Sequence, residues 1–354
     1  MIKSVKIIGT GCYIPGKTTT NKSFISNRFL DFDGSDIEET NTEIIEKFRA
    51  ITGIKERKYV DKELVTSDMA FSAAKNAIKN SKVNPEEIDY IVVAHNYGDV
   101  KNDSIQSDMV PSLASRVKHL LQIENPNCVA YDILFGCPGW LEAIIQMNAY
   151  IKSGMAKTCL VIGAEGLSRV IDQHDRDSMI YSDGAGATVL QASNEEGGII
   201  AYSTQTHTKE EAHFIHFDKS YKKLANSARH YIKMYGRKVY NFALKNVPIA
   251  MKECLDKSGV EIDSIKKIFI HQANEKMDEA ICDRFYKLYN RKAPVNVMPM
   301  SISQLGNSSV ATIPTLLDLV LNNKMEGHQV QKGDYVMFAS VGAGMNINAI
   351  VYQF

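Results

Sequence analysis

The chain has one tryptophan and nine prolines in 354 residues, and its 41 Lys and Arg are matched by 41 Asp and Glu. A formal net charge of zero excludes a global field that would gather nucleic acid or an anionic membrane surface. Six cysteines stand at positions 12, 128, 137, 159, 254 and 282, none in a C-x-x-C pair, and no histidine cluster has zinc spacing. Neither a metal site nor a disulfide framework is therefore expected. No apolar run reaches the roughly 18 residues of a membrane-crossing helix. The opening "MIKSVKIIGTGCYIPG" reads as a strand ending in a turn, without the apolar core of a signal peptide. These absences point to a soluble, unanchored, cytoplasmic protein, and an apolar share of 44% suits an ordinary globular core.

What is present alternates. Apolar strand-like runs at Val5–Ile8, Tyr90–Ala94, Tyr131–Phe135, Cys159–Ile162, Ala187–Leu190, Ile268–Ile270, Tyr335–Ala339 and Ile347–Tyr352 are interleaved with helical periodicity. That periodicity is clearest at Met69–Asn80, Leu141–Ile151, Tyr240–Lys257, Met277–Tyr289 and Thr312–Leu321. The alternation predicts a layered α/β fold. It also repeats itself. "DGAGATVLQ" and "VGAGMNINAIVYQ" each set Gly-Ala-Gly before a strand, "DYIVVAHN" is echoed by "KKIFIHQAN", and "GCPG" by "GNSS". The spacings are 158 residues from Gly184 to Gly342, 176 from His95 to His271 and 170 from Cys137 to Asn307. All lie near half the chain, so two duplicated halves are expected, residues 1–193 and 194–354, meeting near the polar "QASNEEGG". Duplication would bring the loops around Cys137 and Asn307 to one crevice at the strand ends. Two regions lack clean periodicity: 96–111 reads as a long polar loop, and 219–245 as a basic run on a helical background.

Cys137 lies between a glycine and a proline, where a strand gives way to a helix. Pro138 suits a first helical turn. The unpaired amides and macrodipole of a helix N-terminus favour an anion, which predicts a lowered thiol pKa and a thiolate nucleophile. A small buried hydrophobe is the bland reading of the same residue. His271, ending an apolar strand, is on its own either reactive or a hydrogen-bonded structural residue. Asn307 is on its own a turn residue or an N-cap.

Taken in order, "KIIGTGCYIPGKTTTN", "TGIKERKYV", Cys137, "DGAGATVL", "HQAN", "GNSSVATIP" and "GAGMNINAIVYQF" resemble the thiolase-fold condensing enzymes, closest to the β-ketoacyl-acyl-carrier-protein synthase III family. The resemblance spans essentially the whole chain. It implies a thiolase-like α-β-α-β-α sandwich, a homodimer, no cofactor, and acyl thioesters of coenzyme A or acyl carrier protein as substrates. It assigns Cys137, His271 and Asn307 to a catalytic triad, and the backbone amides of Cys137 and the Ala343–Gly344 turn to an oxyanion hole. It further implies that Arg176 lies near the nucleotide, that Arg237 borders the pantetheine channel and that Lys276 docks the acidic carrier. The implied reaction is decarboxylative condensation of a Cys137-bound acyl primer with a malonyl- or β-ketoacyl-type thioester. The alternative is transfer of the acyl group without decarboxylation. Degradative thiolases need a second cysteine near the C-terminal Gly-rich loop, which "SVGAGMNIN" lacks, and Glu142 is expected to point away from an aldol-type acid position.

Three departures from the family pattern stand out. Lys47 and Ile51 occupy the positions of the tryptophan and arginine that flank adenine, so the usual platform for coenzyme A is absent. "ILFG" replaces the small residues common before the cysteine, and Leu134 and Phe135 are expected to reshape the pocket or nearby packing. The 97–111 loop, whose counterpart meets the partner subunit, is longer than in fatty-acid starter enzymes, which suggests a specialised primer.

Overall fold

The computed structural model describes residues 2–223 and 228–354. Two sheets carry the fold, and each repeats the same ladder. The first runs in the order Ser4–Tyr13, Asp183–Ser193, Thr158–Gly166, Tyr90–Ala94, Val129–Ile133. The second runs Gly198–Thr206, Asn346–Gln353, Tyr335–Gly342, Ile265–Ile270. In both, two antiparallel pairings are followed by a parallel one: Thr158–Gly166 lies parallel to Tyr90–Ala94, as Tyr335–Gly342 does to Ile265–Ile270. The internal echo of the sequence is thus an echo of topology. Residues 194–197 join Asp183–Ser193 of the first ladder to Gly198–Thr206 of the second.

Why the layers stack follows from which helices are apolar all round. Gly139–Lys152 buries Trp140, Leu141, Ile144 and Ile151, and Thr312–Leu321 buries Ile313, Leu316, Leu317 and Val320. Helices without a polar face must lie inside. Both pack between the sheets, against Val92, Val161 and Leu190 of one and Phe269, Phe338 and Tyr352 of the other. The amphipathic helices take the outside. Thr66–Ser81 and Leu113–Leu120 cover the first sheet, while Gly236–Ser258 and Glu275–Lys287 cover the second. This is an α-β-α-β-α sandwich.

The glycines of the paired motifs permit close approach. A Cβ on Gly186 would lie 2.6 Å from the Thr315 amide nitrogen, so an inner helix can sit directly on its strand. A Cβ on Gly342 would lie 2.3 Å from the Cys137 nitrogen, so any side chain there would push the two loops apart.

A fourth cluster, including Phe24, Ile44, Phe48, Met179, Ile180 and Ile232, forms a cap over one end of the sandwich. The wholly buried Arg57 of "TGIKERKYV" fastens it. Its Nε and Nη2 donate to the Met179 carbonyl at 3.0 and 2.7 Å, and its guanidinium faces the Phe24 ring at 4.9 Å. The reading of 219–245 as helical background is corrected here. Strand Ile215–Lys219 pairs antiparallel with His230–Met234, and the helix begins at Gly236; the part of that run at 224–227 lies outside the described residues. The polar stretch at 96–111 carries no strand or helix and is closed on itself by a bridge between Asp99 and Asp108. Arg116 ties it down with ion pairs of 2.7 Å to both aspartates. Among the described residues no helix is long and apolar enough to cross a membrane.

Candidate active site

Cys137 is presented by a turn that only glycine adopts easily. Gly136 has φ +65°, and a Cβ there would lie 2.7 Å from the Ala343 nitrogen and oxygen. Pro138 then caps the helix Gly139–Lys152. From the other half, the Ile265–Ile270 strand ends at His271, whose N–H donates to the Ala339 carbonyl at 2.8 Å. Asn307 is locked at both backbone groups: its N–H donates to the Ile180 carbonyl at 3.0 Å, and its carbonyl accepts from the Ser182 N–H at 2.8 Å. Its Oδ1 accepts from the Ser309 N–H at 2.7 Å, so Nδ2 is the group offered to the cavity.

All three side chains line a single cavity of about 800 Å³. Its walls are largely apolar, with Phe48, Tyr97, Met179, Phe217, Ile232 and Met234 among them, and Ala343 lies beside the cysteine. Arg176 and Arg237 also border it, as do Lys47 and Ile51 from the helix Asn41–Thr52. Gly344 and Lys276 are not wall residues. Gly344 sits behind Ala343 with φ +76°, in a turn held by Asn346 Nδ2 donating to the Ala343 carbonyl at 2.9 Å. Lys276 is exposed on the first turn of Glu275–Lys287. Leu134 and Phe135 are not among the cavity's wall residues, which leaves the packing beside it as the place where Phe135 acts. Leu134 is 59% exposed on the outer surface, and Phe135 sits behind Gly139. Glu142 turns away, its Oε2 accepting from Asn348 Nδ2 at 2.8 Å.

The expected standing thiolate is overturned. Burial pushes the Cys137 thiol up to about 11 from 9.0; the Ser309 hydroxyl, donating to Sγ at 3.4 Å, lowers it, and nearby Glu165 raises it. A helix N-terminus is worth about 1 kcal/mol to an anion, less than one pKa unit of about 1.4 kcal/mol, so here burial wins. His271 moves the opposite way: burial lowers it to about 4, so its imidazole is neutral near pH 7, and its Nδ1 has no partner among the described residues. The free protein therefore holds a neutral thiol and a neutral imidazole in one cavity.

Three wall or near-wall residues were not anticipated. Glu165 is wholly buried, Asn96 and Ser309 line the cavity, and a chain of hydrogen bonds links them to the sulfur. The signal for Glu165 was in the sequence, an acid inside the apolar strand "LVIGAEG". Asn96 and Ser309 carried no comparable mark.

Two sheets of matching strand order around two inner helices, with a thiol, a neutral imidazole and a carboxamide in one cavity, place the chain in the thiolase-fold class. Family models narrow this: 3-oxoacyl-[acyl-carrier-protein (ACP)] synthase III matches residues 131–208, and its C-terminal model matches 255–354. The β-ketoacyl-[acyl-carrier-protein] synthase III of Aquifex aeolicus is 31% identical over 350 residues, covering 99% of both chains, and that of Neisseria gonorrhoeae 33% over 360 residues, likewise 99% of each. The solved Aquifex aeolicus structure superposes with a TM-score of 0.81 at 30% identity, over 99% of this chain and 100% of that one. The chain belongs to the 3-oxoacyl-acyl-carrier-protein synthase III family.

Proposed function

We propose that this protein is a decarboxylating ketosynthase that takes an acyl primer onto Cys137 and condenses it with a malonyl-type thioester. The observation that carries this is the convergence of Cys137, His271 and Asn307 on one apolar cavity. In the first half-reaction His271 accepts the thiol proton as the sulfur attacks the incoming thioester carbonyl. The C–S bond to the carrier breaks, and the carrier thiol leaves with that proton. In the second, the malonyl thioester loses carbon dioxide. The resulting enolate oxygen is met by neutral His271 and by Asn307 Nδ2. The carbanion attacks the acyl-Cys137 carbonyl, a carbon–carbon bond forms, and the cysteine sulfur is expelled. The tetrahedral oxyanion in both halves is placed against the Cys137 and Ala343 amides, donors of a kind worth about 3 kcal/mol each. Loading must precede condensation, so the kinetics are ping-pong.

The carriers are coenzyme A or acyl carrier protein, acting in the cytoplasm. Exposed Lys276 offers a cation to an acidic carrier, and Arg176 and Arg237 flank the channel. Where an adenine platform would stand, Lys47 is paired to Glu39 at 2.8 Å, which favours a carrier-protein donor over free coenzyme A. A cavity near the upper end for small-molecule sites suits a primer longer than acetyl. The active unit is a homodimer.

Incubation with acyl-acyl-carrier protein should add one acyl mass to Cys137 and none to C137A. Carboxyl-labelled malonyl thioester should then release labelled carbon dioxide with the β-ketoacyl product. An acyl adduct that never releases the label would leave only acyl transfer.

A further inference from the structure

Behind the nucleophile lies an acid that the reaction just described does not use. Glu165 ends the buried strand Thr158–Gly166 and has no exposed surface. Its Oε2 accepts from the Asn96 backbone N–H at 3.0 Å and from Asn96 Nδ2 at 2.6 Å. The same Nδ2 donates its second hydrogen to Ser309 Oγ at 3.1 Å, and Ser309 Oγ lies 3.4 Å from Cys137 Sγ. The polarity of this chain follows from the ionised acid. A carboxylate can only accept, so the Asn96 amide nitrogen faces it, and Ser309, receiving one hydrogen from Asn96, directs its own proton at the sulfur. Four residues from four separate segments meet in one line. Resting on Cys137 as the nucleophile, we propose that Glu165 is a positioning residue that, through Asn96, fixes the Ser309 hydroxyl on the sulfur, and whose own charge sets how readily Cys137 gives up its proton.

The groups facing Glu165 are few. His95 and Tyr97 come from the segment after Tyr90–Ala94, with His95 Nε2 held by Asp132 at 3.0 Å, and Cys137 comes from the helix start. From the helix Thr66–Ser81, uncharged Thr66 and Met69 lie against the neighbouring Gly166. Burial pushes Glu165 up to about 7, with His95 and the Asn96 and Tyr97 donors opposing the shift. The carboxyl therefore gains its charge within the working pH range. A neutral Glu165 leaves the sulfur helped only by Ser309; an ionised one adds a like charge in a low-dielectric wall and resists the thiolate. Chemical reactivity of Cys137 should rise with pH, flatten as Glu165 ionises, and rise again.

The test is the rate of iodoacetamide alkylation of Cys137 between pH 5.5 and 9, measured by mass spectrometry without substrate. It reads the thiol alone, so it stands or falls separately from ketosynthase turnover. Glu165→Gln keeps an acceptor for the Asn96 N–H and removes the charge. It should match the native protein below pH 6 and alkylate about three- to tenfold faster above pH 8, the effect of about one unit in the thiol pKa tempered by lower nucleophilicity. Ser309→Ala should slow alkylation at every pH, while the gain from Glu165→Gln, an effect of charge through space, should persist in the double variant. An equal Glu165→Gln ratio across the whole pH range, or a Ser309→Ala rate equal to that of the native protein, overturns the proposal. Should Glu165→Gln fail to fold, the native profile decides: an inflection near 7 supports the relay and a featureless line overturns it.

Discussion

Burial acts on the two reactive protons in opposite senses, raising the thiol of Cys137 and lowering the imidazole of His271. Both groups are therefore neutral at rest, and ionisation happens only when a thioester carbonyl arrives to take the electron pair. His271→Ala removes the base and the enolate donor together, so kcat for condensation should fall about 10²–10⁴-fold with the melting temperature little changed. Because burial lowers His271 to about 4, the acid limb of condensation should carry no His271 titration near 6.5, apart from what Glu165 adds near 7; a limb near 6.5 that survives in Glu165→Gln but disappears in His271→Ala would contradict this burial argument. A second buried acid is Asp278, on Glu275–Lys287; burial raises it well above 3.8, with the Asn274 backbone N–H opposing the shift. The sign follows from proton counting. Above its ordinary value the unfolded chain releases a proton that the folded chain retains, so stability is full at low pH and declines as pH rises. Asp278→Asn removes that slope. Urea unfolding should show it gaining on the native protein from pH 5 to pH 8, by up to about 1.4 kcal/mol per pH unit. A constant difference would mean the acid is not held protonated.

Elements were legible wherever period and length agreed. Thr312–Leu321 and Tyr90–Ala94 fall at the expected bounds, and Gly139–Lys152 extends Leu141–Ile151 by a few residues, because uninterrupted apolar patterns leave one solution. The hairpin Ile215–Lys219 with His230–Met234 was not legible. Its lysines read as part of a basic run on a helical background, whereas Lys233 is buried in a strand and bridges Asp172 at 2.6 Å and Asp175 at 3.1 Å, with its ammonium 3.4 Å from the Tyr221 ring. Only a contact sixty residues away in sequence makes that lysine internal, and no local pattern encodes it. The same holds within the site: the triad positions stood out as motifs, while Asn96 joined through a long-range hydrogen bond. Lys233→Met should therefore cost about 3–5 kcal/mol, since it strands two buried carboxylates. It should also raise KM for the acyl donor, because Ile232 and Met234 of the same strand line the cavity. Denaturant titration and steady-state kinetics check both, and a loss below 1 kcal/mol would show the cluster to be solvated.

At the scale of the whole molecule, one edge is unfinished. Among the described residues Val129–Ile133 closes the first sheet with a neighbour on one side only, and Val129 is 45% exposed where the inner strand Thr158–Gly166 is buried throughout. Beside it in sequence Leu134 is 59% exposed, and the loop at 97–111 shows Ile105 at 61%, Met109 at 43% and Val110 at 87%. An open edge with exposed apolar side chains invites indiscriminate pairing unless something covers it. The geometry allows a second copy to do so, because an antiparallel pairing of one edge strand with itself generates a two-fold axis and a self-complementary patch. The proposed homodimer would then join the two first sheets into one continuous sheet and bury the loop beside each cavity. The protein should sediment at twice its 39.5 kDa chain mass. Val110→Glu with Leu134→Glu places charges of like sign across that axis, and should shift the species to monomer at micromolar concentration while leaving each cavity's thiol open to alkylation. A native chain that sediments as a monomer, or a double variant that stays dimeric, would move the interface elsewhere and leave this edge to another partner.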